Sequence, residues 1–229
     1  MADFIVLDIE TENIGYDVMA DNKRILSVQT YDGNDSMIYY DGSRTNNLSD
    51  AKKSLEEHIE RGTKFVGFNI RNFDVRFIKE FLRVEIPVSQ IVDIGEMQKT
   101  KDVKWEMKKD YPKLVEICDF LGIECSHKNL MDDQSIEFKN LPHVIELAKE
   151  GAEKWVKEKG WSYDYSYNRA LSSVSIGMAI LKSFKDFVES GGRSDSLFYK
   201  YAIGDVISEY LLYEKLKWTN VLNKIYQNS

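Results

Sequence analysis

The order of apolar and polar positions changes rhythm halfway along the chain. Phe4-Ile-Val-Leu-Asp-Ile-Glu-Thr11 is a mostly apolar run of strand length, and it reads as a mostly buried strand. Arg24 to Asp32 and Ser36 to Asp41 read as two more strands joined by Gly33-Asn34, a hairpin signal. Ser49 is placed to cap a helix that stops at about Gly62. A strand over Lys64 to Asn69, a helix over Asn72 to Arg83 and a strand over Val88 to Ile94, after Pro87, follow. Three strands and then helix–strand–helix–strand predict an α/β fold, a mixed five-stranded sheet with helices packed on it.

Beyond this point the periodicity is helical, with segments at about 113–122, 141–159, 169–189 and 196–226, and Gly191-Gly192 as a break. Trp161, Tyr163, Tyr165 and Tyr167 alternate, so in an extended chain their rings would share one face. No repeat or composition shift marks a second domain. The expectation is a single domain over 1–229, with a helical insertion over about 126–195.

Composition narrows the class. The 229 residues are 43% hydrophobic and 30% charged, with only 3 Pro, which excludes disorder and leaves material for a core. The longest uncharged helical run, Ala170 to Leu181, is too short for a membrane span. The start, Met-Ala-Asp-Phe, has no basic stretch, so neither a signal peptide nor a membrane is expected and a cytoplasmic location is. Cys118 and Cys125 are too few for a disulfide scaffold, and His58, His127 and His143 have no metal-ligand spacing.

The net charge of −7 is carried wholly by residues 1–50, with 3 Lys/Arg against 10 Asp/Glu; the remainder is neutral. This balance argues against broad coating of duplex DNA, which depends on phosphate neutralisation. It is compatible with a cleft whose positive charge comes from bound metal.

Carboxylates in apolar settings are the informative residues. Asp8 and Glu10 lie at i and i+2 of the first strand and point to the same face. Either both face water at a sheet edge, or a hard divalent cation offsets their repulsion. Asp74 follows in Asn69-Ile-Arg-Asn-Phe-Asp74, at the start of a helix, where an Asp also simply favours the helix dipole. Tyr201 and Asp205 sit at i and i+4 of a helix apolar nearly all round, where a buried Asp needs a partner and Tyr201 could be that partner.

Asp-Ile-Glu-Thr on a first strand, Asn-x-x-x-Phe-Asp at a strand-to-helix junction and Tyr-x-x-x-Asp on a late helix occur in that order. The combination resembles the DEDD group of 3′–5′ exonucleases, tyrosine subclass. It is similar above all to the proofreading exonuclease domain of family-B DNA polymerases and its stand-alone relatives. The histidine subclass has His where this chain has Lys200. The likeness covers about 1–125 and 196–216, and it implies an RNase H-like fold with a helical insertion before the last motif helix.

It further implies two divalent metal ions, magnesium or manganese, bridged by Asp8, with Glu10 and Asp205 on one and Asp74, largely through water, on the other. Tyr201 would orient the attacking water, and Asn69 and Phe73 would lie near the terminal nucleotide. Asp93 matches an acidic position frequent in these relatives, although an ordinary Asp at a strand end is the simpler reading. The expected activity is removal of nucleotides from single-stranded or frayed DNA 3′ ends. A polymerase or repair partner would be needed for a proofreading or DNA-repair role. An exoribonuclease, or a non-catalytic nucleic-acid-binding subunit on the same fold, are the alternatives. Six lysines from Lys99 to Lys113 surround Trp105 among only three acidic residues; they either track a phosphate backbone or form a solvated face.

Overall fold

Phe4–Thr11 forms strand β1 at the centre of a five-stranded sheet of order β3-β2-β1-β4-β5, in a computed structural model that describes residues 4–12, 24–125 and 127–218. Ile5, Val6, Leu7 and Ile9 are all buried, without the alternation of a strand wetted on one face, which fits a central position. β2 (Ile25–Tyr31) and β3 (Ser36–Tyr40) pair antiparallel, from Ser27 opposite Tyr40 to Tyr31 opposite Ser36. Their turn is the expected hairpin, with Gly33 at φ +100°. β4 (Lys64–Gly67) pairs parallel with β1, and β5 (Ile91–Asp93) parallel with β4. The mixed five-stranded sheet with flanking helices is therefore the architecture the sequence predicts.

Local boundaries differ for identifiable reasons. Helix α1 (Leu48–Glu60) is capped by Asn47 rather than Ser49. The Asn47 side chain accepts the Ser49 and Asp50 amides, and Asp50 returns a bond to the Asn47 amide. Only a cap three residues before Asp50 completes this reciprocal box. β4 stops at Gly67, where a Cβ would meet the Leu7 carbonyl oxygen at 2.8 Å, and the chain turns away through Asn69 at φ +64°. The helix expected over Asn72 to Arg83 is α2 (Asp74–Phe77), continued by a π-helical turn over Ile78–Leu82 and ended by Arg83 at φ +57°. β5 is shorter than expected because 3₁₀ turns occupy Val88–Gln90 and Ile94–Glu96; the Asp93 side chain draws the Gly95 amide back at 2.9 Å.

Two helices were not legible from periodicity. α3 (Gln98–Glu106) buries only Thr100 and Val103. After α4 (Leu114–Phe120) comes α5 (Lys128–Ser135), equally short of an apolar stripe. α6 (Pro142–Lys159), α7 (Tyr163–Glu189) and α8 (Leu197–Trp218) follow, with Gly191 and Gly192 at positive φ as the break before α8. The part of the last helix expected over 219–226 lies outside the described residues. α7 starts six residues before the expected 169, capped by Ser162. Winding separates the rings of the aromatic run: Tyr163 stacks on Tyr167, and Trp161 meets Tyr165 edge-on at 5.2 Å.

The described residues form two compact units. One contains most of the sheet, α1 to α4 and α8 from Ala202 onward. The other contains residues 127–201, with a core of Met131, Phe138, Val144, Val174, Ala179 and Tyr201, together with residues 10–12 and 24–26 at the ends of β1 and β2. No helix among the described residues is long and apolar enough to cross a membrane.

Candidate active site

Asp8 and Glu10 project from β1 on one side of the strand, as their spacing requires. Asp8 is partly exposed, and Glu10 is buried. Asp205, also buried, comes from α8. One carboxylate oxygen from each of Asp8, Glu10 and Asp205 lies within 4.8 Å of the others. The first and last of the three sequence motifs, nearly 200 residues apart, thus converge on one point. The edge-of-sheet alternative for Asp8 and Glu10 does not hold, since β1 is central.

Asp74 approaches from the second motif. It is the first residue of α2, it is buried, and its Oδ1 accepts the main-chain N–H of Ile9 at 3.0 Å. This bond has a structural cause. The parallel pairing of β1 with β4 runs only as far as Val6 opposite Val66, because β4 ends at Gly67. The Ile9 amide lies beyond that pairing and would be a buried donor in need of an acceptor. Asp74 supplies it, and so is held next to the residue that separates Asp8 from Glu10.

The turn that delivers Asp74 is itself held by Asp93. Its Oδ1 accepts the Asn69 and Gly95 amides at 3.0 and 2.9 Å, and its Oδ2 accepts the Arg71 amide at 3.2 Å. Asp93 is therefore a turn anchor at the end of β5. Asn69 is exposed at the apex of this turn, and Phe73 is half-buried with its ring 5.0 Å from that of Phe77. Tyr201 lies one turn before Asp205 on α8; it is buried, and its ring centroid is 6.3 Å from that of His127.

Sequence reasoning missed Glu209. One further turn along α8 from Asp205, it is buried, its Oε1 accepts the Phe68 amide at 3.2 Å, and its Oε2 has no hydrogen-bond partner. The available signal was the one used for Asp205, a carboxylate inside a helix apolar on every side.

The electrostatics agree with the geometry. Burial first, and then the charge of Asp8, raise the Asp74 carboxyl well above the usual carboxylate range, against the pull of its main-chain hydrogen bonds. Burial, then Asp8, Asp74 and Asp205, raise Glu209 in the same way. Acidic groups that oppose one another's ionisation make a site to which a cation is attracted. The donors are all carboxylate oxygens, the hard ligands a divalent cation takes. The acidic group of Asp8, Glu10 and Asp205 thus fits a divalent metal ion, and the orphaned Glu209 Oε2 is a further buried oxygen close enough to feel these carboxylates.

A mixed α/β sheet whose central strand carries the carboxylates defines an RNase H-like fold. The chain belongs to the RNase H superfamily, whose family model matches residues 5–138 and so takes in the whole sheet and the Asp8, Glu10 and Asp74 positions. No curated protein matches it significantly. Membership indicates a nuclease-type or nucleic-acid-related function.

Proposed function

We propose that the chain is a metal-dependent 3′–5′ exonuclease of the DEDD group, tyrosine subclass, acting on single-stranded or frayed DNA 3′ ends. The observation that carries this reading is the convergence of Asp8, Glu10 and Asp205, drawn from motifs at opposite ends of the sequence. Asp8, Glu10 and Asp205 would hold one divalent ion, and Asp8 with Asp74 would contribute to a second. When bound, such ions supply an activated water and neutralise charge on the phosphodiester and its leaving oxygen.

The chain's own residues do the positioning. The Tyr201 hydroxyl orients the attacking water; it is not the base, because a phenol ordinarily ionises near pH 10. Asn69, exposed on its left-handed turn, and Phe73 contact the terminal nucleotide. The turn bonds from Asp93 and Glu209 hold these two residues in register with the carboxylates. In a proofreading or repair role this activity would work beside a polymerase or repair partner.

The test is digestion of 5′-labelled single-stranded DNA and RNA of one sequence with magnesium, with manganese, or with EDTA. The expected product is a ladder shortened from the 3′ end, dependent on metal and faster on DNA. Endonucleolytic fragments, or activity undiminished by EDTA, overturn the assignment. Faster digestion of RNA overturns the sugar preference alone.

A further inference from the structure

Trp105 is 77% exposed, a whole indole ring left open to solvent. It stands on α3 in a groove lined by Lys101, Lys104, Lys108, Lys109 and Asp110. The helix does not simply end here. Lys108 adopts φ +53°, and its amide and that of Lys109 bond back to the Trp105 and Lys104 carbonyls. That left-handed residue reverses the chain and brings Lys108 and Lys109 beside Lys101 and Lys104, around the same ring. Lys104 bonds the Gly95 carbonyl and Lys109 pairs with Glu116, whereas Lys101 and Lys108 make no ion pair among the described residues. A concentrated positive groove on a protein of net charge −7, with an aromatic platform at its centre, matches a ligand that is anionic along its length and has flat apolar faces.

We infer that this groove is a second nucleic-acid contact, in which a base of a single strand stacks on Trp105 while the lysines face the flanking phosphates. Stacking on an exposed ring needs an unpaired base, so the groove selects single strands over duplex. The inference deepens the exonuclease reading and rests on it: the strand held here is the substrate at a point removed from the terminal nucleotide. Trp105 belongs to the same compact unit as Asp8, Asp74 and Asp205.

The test measures binding of a 5′-fluorescein oligothymidylate by the full chain in EDTA, so that no cleavage intervenes. Trp105→Ala should weaken binding roughly tenfold or more, with Trp105→Phe recovering most of it, in keeping with the contribution of one stacked base. Lys101→Glu with Lys108→Glu should weaken binding and flatten its dependence on salt. Because Trp105 is exposed, Trp105→Ala should unfold at the wild-type temperature, which keeps the comparison valid. Equal affinity in wild type and Trp105→Ala overturns the inference, as does equal affinity for duplex. Competition by polyglutamate as effective as by oligothymidylate overturns it in favour of an acidic protein partner. The two readings fail separately. Metal-dependent digestion with no effect of Trp105→Ala sinks the groove alone, and loss of binding in Trp105→Ala without any digestion sinks the exonuclease alone.

Discussion

The carboxylate of Asp74 and the main-chain amide of Ile9 form a 3.0 Å hydrogen bond that joins the second motif to the strand bearing the first. One side chain therefore satisfies the amide just beyond a β-ladder and adds a carboxyl group to the acidic cluster. The two roles separate by substitution. Asp74→Asn keeps an acceptor for the amide and removes the charge, so in EDTA it should be as stable as wild type or more so. Asp74→Ala leaves the amide unsatisfied and should lose about 1–3 kcal/mol, read from urea unfolding. Both should lose nuclease activity. Equal destabilisation by Asn and Ala would show that the charge, rather than the acceptor, holds the junction.

Metal binding should be visible as stability. Only the folded chain brings Asp8, Glu10 and Asp205 within 4.8 Å, so millimolar magnesium or manganese should raise the melting temperature by mass action, and EDTA should reverse the gain. Asp8→Asn and Asp205→Asn should fold, melt no lower than wild type in EDTA, and lose both the metal-dependent gain and nearly all activity. A melting curve indifferent to either metal would count against the site.

Tyr201 packs its ring with Met131, Phe138, Val144, Val174 and Ala179, so Tyr201→Phe should retain the fold and the metal response. Losing a hydroxyl that orients water should lower turnover by roughly one to three orders of magnitude, with substrate affinity close to wild type. If turnover is full and stability falls, the hydroxyl is a core hydrogen-bonding group and the tyrosine-subclass assignment fails.

A different group governs one component of acid sensitivity. His58, on α1, is partly buried, with Nδ1 3.3 Å from Thr63 Oγ1 and its ring against Phe65. Burial and then the Arg61 charge lower its proton affinity, outweighing Glu57 and Asp32. Its folded value lies below the unfolded one, so the stability it contributes is fully present above about pH 6.5 and is lost as pH falls through the folded value. Unfolding free energies between pH 7.5 and 5.5 should fall more steeply in wild type than in His58→Gln. Parallel profiles would remove His58 from the account.

What the sequence disclosed follows from where its information lies. β1 and the hairpin at Gly33 are written in apolar runs and turn chemistry, and the motif carboxylates stand out because charge is costly in such runs. α3 and α5 were illegible because helices with so little buried surface leave no periodic stripe. Gly67, at the end of β4, is required by the Leu7 carbonyl, which a Cβ there would meet at 2.8 Å, a closeness between distant segments that no local pattern encodes. Glu209 carries the same signal in the helix as Asp205, but what it does is set by the Phe68 amide, 141 positions away, which the helix pattern does not encode.

Two of the site's carboxylates bond to main-chain amides, Asp74 to Ile9 and Glu209 to Phe68, and this gives the protein its own spectroscopic probes. Any event that changes the charge or orientation of those carboxylates must alter the shielding of two particular amide protons. In a nitrogen–proton correlation spectrum, the Ile9 and Phe68 resonances should move as magnesium is titrated, while an amide such as that of Asn34, bonded to Asp32 in the surface hairpin, stays still. Occupancy of the acidic centre would then be followed from the backbone, without substrate and without catalysis.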